Sequence, residues 1–234
     1  MKFGLETMRL LLESLGRPER AYPTLLVAGT NGKGSVVAYT DAALRAAGLR
    51  PGRYTSPHLV RANERIAVAG RAVTDAELAS AVRRVREAAE GLVRSRRLRA
   101  HPTYFEVMTA AALEHFRRRR VDVAVLEVGM GGRLDATNAV EPLVSAIVSV
   151  DYDHQEFLGT TLRAIATEKA GVLRAGRTTV LGPLPEEARR AIAEVGRAVG
   201  ARLVPARRGV RVRGREKALD VRTPRRRYRA LVPL

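Results

Sequence analysis

The sequence has no cysteine among its 234 residues. Disulfide staples and thiolate metal sites are therefore excluded. It has no apolar run near the ~18 residues that cross a bilayer. Its opening, MKFGLETMRLL, lacks the long apolar stretch and small-residue cleavage site of a secretory signal. These absences lead to the expectation of a soluble, cytoplasmic protein with no membrane partner. A G-x-S-x-G nucleophile elbow, internal repeats and low-complexity segments are also missing. Acidic residues are scarce, 24 against 42 basic, for a formal net charge of +18. Lysine is scarcer still: 4 of the 42 basic residues, the other 38 being arginine.

The charge has two readings. A basic protein suits nucleic acid or polyanionic substrates. However, residues 202–229 hold 12 basic and 2 acidic residues, +10 of the +18. A composition that favours arginine accounts for much of the rest. Nucleic-acid binding thus rests on phosphate attraction by the tail. Lys2 and Lys217 read as surface residues. Lys33 and Lys169 sit in motifs, and a lysine kept where arginine is the default points to chemistry a guanidinium cannot do.

Apolar runs and helix-period segments alternate along the chain. Strands are expected at 24–30, 53–56, 121–129, 143–151, 178–182 and 202–206, with a small hairpin at 64–73. Helices are expected at 5–15, 34–47, 74–95, 103–119, 160–171 and 185–200. Thr74/Glu77 and Thr103/Glu106 form S/T-x-x-E capping boxes. The tail from Gly209 alternates as short hairpins do. The pattern predicts an α/β fold: a P-loop-type, mainly parallel sheet flanked by helices, with a small β-hairpin region at the end. One domain is expected over 1–205, with 206–234 as its basic end. Ligands in such sheets gather at the carboxyl ends of the strands. The loops GMGGRLDATN and DYDHQEFLG and the glycine loop should all open there.

VAGTNGKGS, residues 27–35, places a glycine turn and a lysine between a strand and a helix. Backbone amides and a helix N-terminus cradle phosphate in this arrangement. The strict G-x-x-x-x-G-K-[ST] pattern is not met, since residue 27 is Val and Gly34 separates Lys33 from Ser35. Glu127 ends an apolar strand, where a phosphate-loop enzyme puts its acidic magnesium residue and where a Glu could equally have just reached solvent. Asp151, Asp153 and His154 end the next strand, which makes His154 a candidate ligand.

GTNGKGS, YTSPHL, ERI, TYFE, EVGMGGRLDATN, DHQEFLG and EKAGV, in that order, resemble the folylpolyglutamate synthase/dihydrofolate synthase family of the Mur-ligase superfamily. The resemblance runs from FGLE at residue 3 to about residue 182. It implies an ATP-dependent ligase that phosphorylates a folate or dihydropteroate carboxylate and joins it to L-glutamate. By that resemblance Thr30, Asn31, Gly32, Lys33, Gly34 and Ser35 hold the ATP phosphates. Ser56, Glu127 and His154 are the implied magnesium ligands. Lys169 is the lysine that becomes carbamylated, and Lys33, Lys169 and His154 are the implied catalytic residues. The pterin positions fall on Gly4 and Leu5, on Thr103, Tyr104, Phe105 and Glu106, and on Leu134, Asp135 and Ala136. Glu106 also fits a capping box, and Phe105 a core position. His58 and Arg65 lie near Ser56 without an assigned role, and His101 and His115 read as surface or core residues. The family implies a monomer. Its members continue for roughly as long again, so the expectation is a fragment or a truncated homologue that lacks a second ligase domain and makes little or no product alone. The competing expectations are a basic nucleic-acid-binding P-loop protein and a P-loop ATPase without ligase activity.

Overall fold

The computed structural model describes residues 4–215 and 218–231. Lys2, Lys217 and the Phe3 that begins the resemblance lie outside them. The most apolar segments form the middle of the sheet. β1 (Thr24–Ala28) and β5 (Val123–Glu127) pair in parallel, and every residue of β5 is buried. Around them stand β2 (Pro51–Tyr54), β3 (Ile66–Val68), β4 (Arg71–Ala72), β6 (Val144–Ile147), β7 (Thr178–Leu181) and β8 (Arg202–Pro205). The order is β4-β3-β2-β5-β1-β6-β7-β8. Only β3 and β4 run antiparallel to their neighbours. From β1 the chain crosses to β2 on one side, and from β5 it crosses to β6 on the other. That divergence opens a crevice at the carboxyl ends of β1 and β5.

Helices cover the two faces unequally. α3 (Asp75–Arg94) buries a stripe of Ala81, Val85, Ala89 and Leu92, the spacing of one helical face. It packs on α4 (Tyr104–Arg118) and α1 (Glu6–Ser14), over the larger core. α4 lies between α3 and β2, and its residues from Met108 to Phe116 are all buried. The other face at the centre is covered by α2 (Lys33–Ala46), whose Val37 meets Val27 and Val125. Both expected capping boxes are formed. Thr74 and Glu77 exchange side-chain and backbone bonds at the start of α3, and Thr103 and Glu106 do so at α4. Further along come α5 (Gln155–Leu158), α6 (Leu162–Ala170) and α7 (Glu186–Val199). β9 (Arg211–Arg215), β10 (Ala218–Arg222) and β11 (Arg227–Leu231) make a separate antiparallel sheet. No helix among the described residues is long and apolar enough to cross a bilayer.

Several expected boundaries are corrected by side chains that take over the backbone. The hairpin begins at Ile66, not residue 64, because Ala62–Arg65 is a 3-10 turn. There the Glu64 carboxylate accepts the amides of Leu59, Val60 and Arg61 at 2.8, 3.1 and 2.7 Å. The strand read at 53–56 is Pro51–Tyr54, since the Ser56 amide turns to the Glu127 carboxylate instead of a strand partner. Those read at 24–30 and 143–151 stop at Ala28 and Ile147, and the residues beyond them bind each other across the crevice. The segment DHQEFLG, read as loop, contains α5.

Candidate functional site

The glycine loop is set by its neighbour. The Thr30 amide donates to the Ser149 carbonyl at 3.0 Å. Its hydroxyl and the backbone of Asp151 exchange bonds at 3.1 and 3.2 Å. The Ser149 hydroxyl accepts from the Asn31 amide and donates to the Asn31 carbonyl, both at 2.8 Å. Gly32 then sits at φ +78°, a left-handed conformation that L side chains rarely adopt. The first helical bond is Val36 N–H to the Gly32 carbonyl. Consequently the successive amides of Gly32, Lys33, Gly34 and Ser35 have no acceptor among the described residues. They open a 14-residue helix, so the macrodipole adds positive potential. The Lys33 ammonium folds onto the Gly29 and Thr30 carbonyls at 3.1 and 3.0 Å. Amides, helix end and ammonium together make an anion receptor.

Glu127 stands against this loop. A Cβ added at Gly34 would lie 3.6 Å from either carboxylate oxygen. Oε2 accepts the Ser56 amide at 3.0 Å. Burial raises the Glu127 pKa, while the Ser56 amide and the Lys33 charge pull the other way. Among the described residues no three His, Asp, Glu or Cys side chains converge on one point. A buried carboxylate bonded to the amide of Ser56, a residue with a hydroxyl of its own, nevertheless supplies hard oxygen donors, which fit a magnesium ion that keeps several waters. His154 is half-exposed, with Nε2 3.5 Å from Asp153 Oδ1. It makes no hydrogen bond or ion pair with Glu127.

Next to the Ser56–Glu127 pair is a cavity of about 720 Å³. Its walls include Gly4, Ser56, Pro57, Arg65, Thr103–Glu106, Gly129–Ala136, His154, Phe157, Leu158 and Glu168. Of the residues named from the resemblance as pterin positions, all but Leu5 line it; Leu5 is the N-cap of α1. Thr30–Ser35, Glu127 and Lys169 lie outside these walls. The Glu106 Oε2 is taken by the Thr103 amide and hydroxyl at 2.7 and 2.9 Å, as the capping reading expects. Asp135 accepts from the Met130 amide at 2.9 Å and the Thr137 amide at 3.0 Å. Burial still raises its pKa against those bonds. Its carboxylate therefore holds its own loop together. Phe105 tilts against the Tyr54 ring, centroids 6.2 Å apart.

Lys169 on α6 is 1% exposed. No hydrogen-bond acceptor or carboxylate partner reaches it among the described residues. Burial first, then the Lys33 charge, lower its pKa to about 8, against a smaller opposing effect of Asp153. The helix is locked to the cavity loop at close range. A Cβ on Gly132 would lie 2.8 Å from the Glu168 carbonyl, and one on Gly171 2.3 Å from the Arg133 Cα. Across the same seam Arg133 and Glu168 pair at 2.8 Å. Sequence reasoning did not find Ser149, Phe157 or Glu168, and left Arg65 without a role. The one available signal was position, since ERI follows YTSPHL closely.

A mainly parallel α/β domain with an anion-receiving glycine loop and an adjoining apolar cleft is the class these observations define. The chain belongs to the Mur ligase middle domain family, whose model matches residues 27–179. It is 41% identical over 189 residues to the dihydrofolate synthase/folylpolyglutamate synthase of Bacillus subtilis, covering 80% of this chain and 44% of that protein. The structure of E. coli FolC in complex with DHPP and ADP is 33% identical, with a TM-score of 0.88, over 100% of this chain and 54% of that one. An FPGS-AMPPCP-folate complex is 37% identical, with a TM-score of 0.88, over 94% of this chain and 55% of that one. The chain thus spans about half the length of these relatives.

Proposed function

We propose that the chain carries the nucleotide-binding and acceptor-binding part of an ATP-dependent ligase that adds L-glutamate to a folate or dihydropteroate carboxylate. The observation that carries this reading is the row of unpaired amides at 32–35, set beside Glu127 and the cleft. ADP, AMPPCP, DHPP and folate in the similar structures supply the ligand classes. The acceptor carboxylate attacks the γ-phosphorus, ADP leaves, and the amine of glutamate then displaces phosphate from the acyl phosphate, releasing a proton. Two anions must meet for the first step. The loop amides and Lys33 neutralise the phosphate side, and the cleft orients the acceptor. A magnesium ion on Ser56 and Glu127, with His154 supplied from the cleft rim, would screen the phosphate oxygens.

Lys169 supports the carbamylation reading. With a pKa of about 8 a fraction of its amine is neutral near physiological pH. A neutral amine adds CO₂ to give a carbamate and a proton. The nearby Lys33 charge, which disfavours an ammonium, favours that anion. Arginine does not lose its proton and could not follow this route. Residues 206–234 are read as the basic end of the same domain, and the setting as cytoplasmic and monomeric.

The test is titration with a Mg·AMPPCP-type analogue. Binding that needs Mg²⁺, persists after deletion of 206–234 and is lost in Lys33→Ala supports the reading. DNA binding with a steep salt slope that disappears on the same deletion, without nucleotide binding, supports the nucleic-acid alternative. A nucleoside triphosphatase activity untouched by Lys169→Arg would favour a plain ATPase. From this chain alone little ADP release dependent on acceptor and glutamate is expected.

A further inference from the structure

Arg65 is 8% exposed and lines the cavity. No carboxylate among the described residues lies within ion-pair distance of it. Its contacts are neutral, and one of them is a hydrogen bond with the buried Tyr54 hydroxyl. Nε donates to His58 Nδ1 at 2.8 Å, a bond that requires this nitrogen to be unprotonated. The guanidinium carbon stands 5.4 Å from the centre of the Tyr104 ring. Cavity acids are engaged elsewhere: Glu106 by Thr103, Asp135 by its own loop, Glu168 by Arg133. A guanidinium withdrawn from water without an anion is costly, and a fold that keeps one in a cleft keeps an anion receptor.

Its place in the chain says which anion. The Thr55 amide donates to the Arg65 carbonyl at 2.9 Å, and the next amide, Ser56, donates to Glu127. Arg65 is thereby tied to the strand end that faces the phosphate loop. On its other side the cavity is apolar, with Phe105, Met130 and Leu158. A ligand with an aromatic body and a carboxylate would put its ring among these three and its charge at Arg65. We propose that Arg65 receives the carboxylate of the acceptor, the group to be phosphorylated, through its Nη groups, which no carboxylate among the described residues engages. This deepens the ligase reading and rests on it for the identity of the ligand.

The test measures binding of pteroate and of its methyl ester, with no glutamate present, to the whole chain. A bidentate charge-assisted contact predicts a preference for the acid of about 10- to 100-fold. Arg65→Gln should reduce that ratio to near one, and Arg65→Lys, which keeps the charge but not the fork, to a value in between. A wild-type ratio of one, whether both bind alike or neither binds, overturns the proposal. So does a ratio that Arg65→Gln leaves unchanged. If circular dichroism shows Arg65→Gln unfolded, Arg65→Lys decides: an undiminished ratio overturns it. Mg·AMPPCP affinity, measured alongside, separates the two claims. Acid preference without nucleotide binding keeps the anion receptor and removes the ligase; nucleotide binding without acid preference does the reverse.

Discussion

Along residues 32–35 the groups offered to a ligand are four backbone amides and one partly exposed ammonium, whereas in and around the cleft they are buried charged side chains. The loop is partly exposed, and water can satisfy its amides until an anion arrives. Arg65, Glu127 and Lys169 have far less recourse to water, at 8%, 5% and 1% exposure. The first region costs the fold little because orphan amides belong to any helix start. The second destabilises it, since each buried charge lacks a full partner. Binding chemistry can thus be built from backbone geometry with a charge left near water, or from charges the fold buries at a cost, and the two constructions should respond differently to substitution.

The largest expected effect is on the seam that holds the cleft together. Gly171→Val drives a side chain into the Arg133 backbone and should lower stability by about 3 kcal/mol or more, read from a urea melt. Substitution in the loop should instead spare the fold. Lys33→Ala is expected to weaken Mg·AMPPCP binding by about 2 to 3 kcal/mol in calorimetry while the melting temperature changes little. If Lys33→Ala unfolds the chain, the contrast fails.

Lys169 sharpens the comparison through pH. Its folded pKa, about 8, lies below the ordinary 10.5. Below about pH 8 both states carry the proton, and the native state bears the whole cost of burying it. Between there and 10.5 the native lysine sheds its proton first, so stability rises with pH. Lys169→Met should therefore be more stable than wild type by about 1 to 3 kcal/mol at pH 7 in CO₂-free buffer, and the gap should close toward pH 10. A wild type that is the more stable at pH 7 would show a hidden partner. Smallest is the cap at the mouth of the cleft: Thr103→Ala should cost about 1 kcal/mol in thermal or urea unfolding.

Much of this was legible because it is local. Apolar runs announced β1 and β5, and T-x-x-E announced the starts of α3 and α4 at the residue. The glycine loop and its lysine were visible as a contiguous pattern. What was hidden depends on distant backbone. Ser149 holds Asn31 across 118 positions, and Glu127 holds Ser56 across 71. Neither bond leaves a periodicity. Arg65 looked like one arginine among 38. Only the pairing of β2 with β3 and the placement of α4 show it buried, on Tyr104 and facing the cavity.

The interlocked glycines carry a consequence for motion. Gly132 and Gly171 let two backbones touch where any larger residue would hold them apart, and Arg133 and Glu168 latch the outside of the joint. The wall of the cleft and the helix bearing Lys169 must then travel as one rigid part. A ligand that shifts the floor of the cleft would carry the buried amine with it.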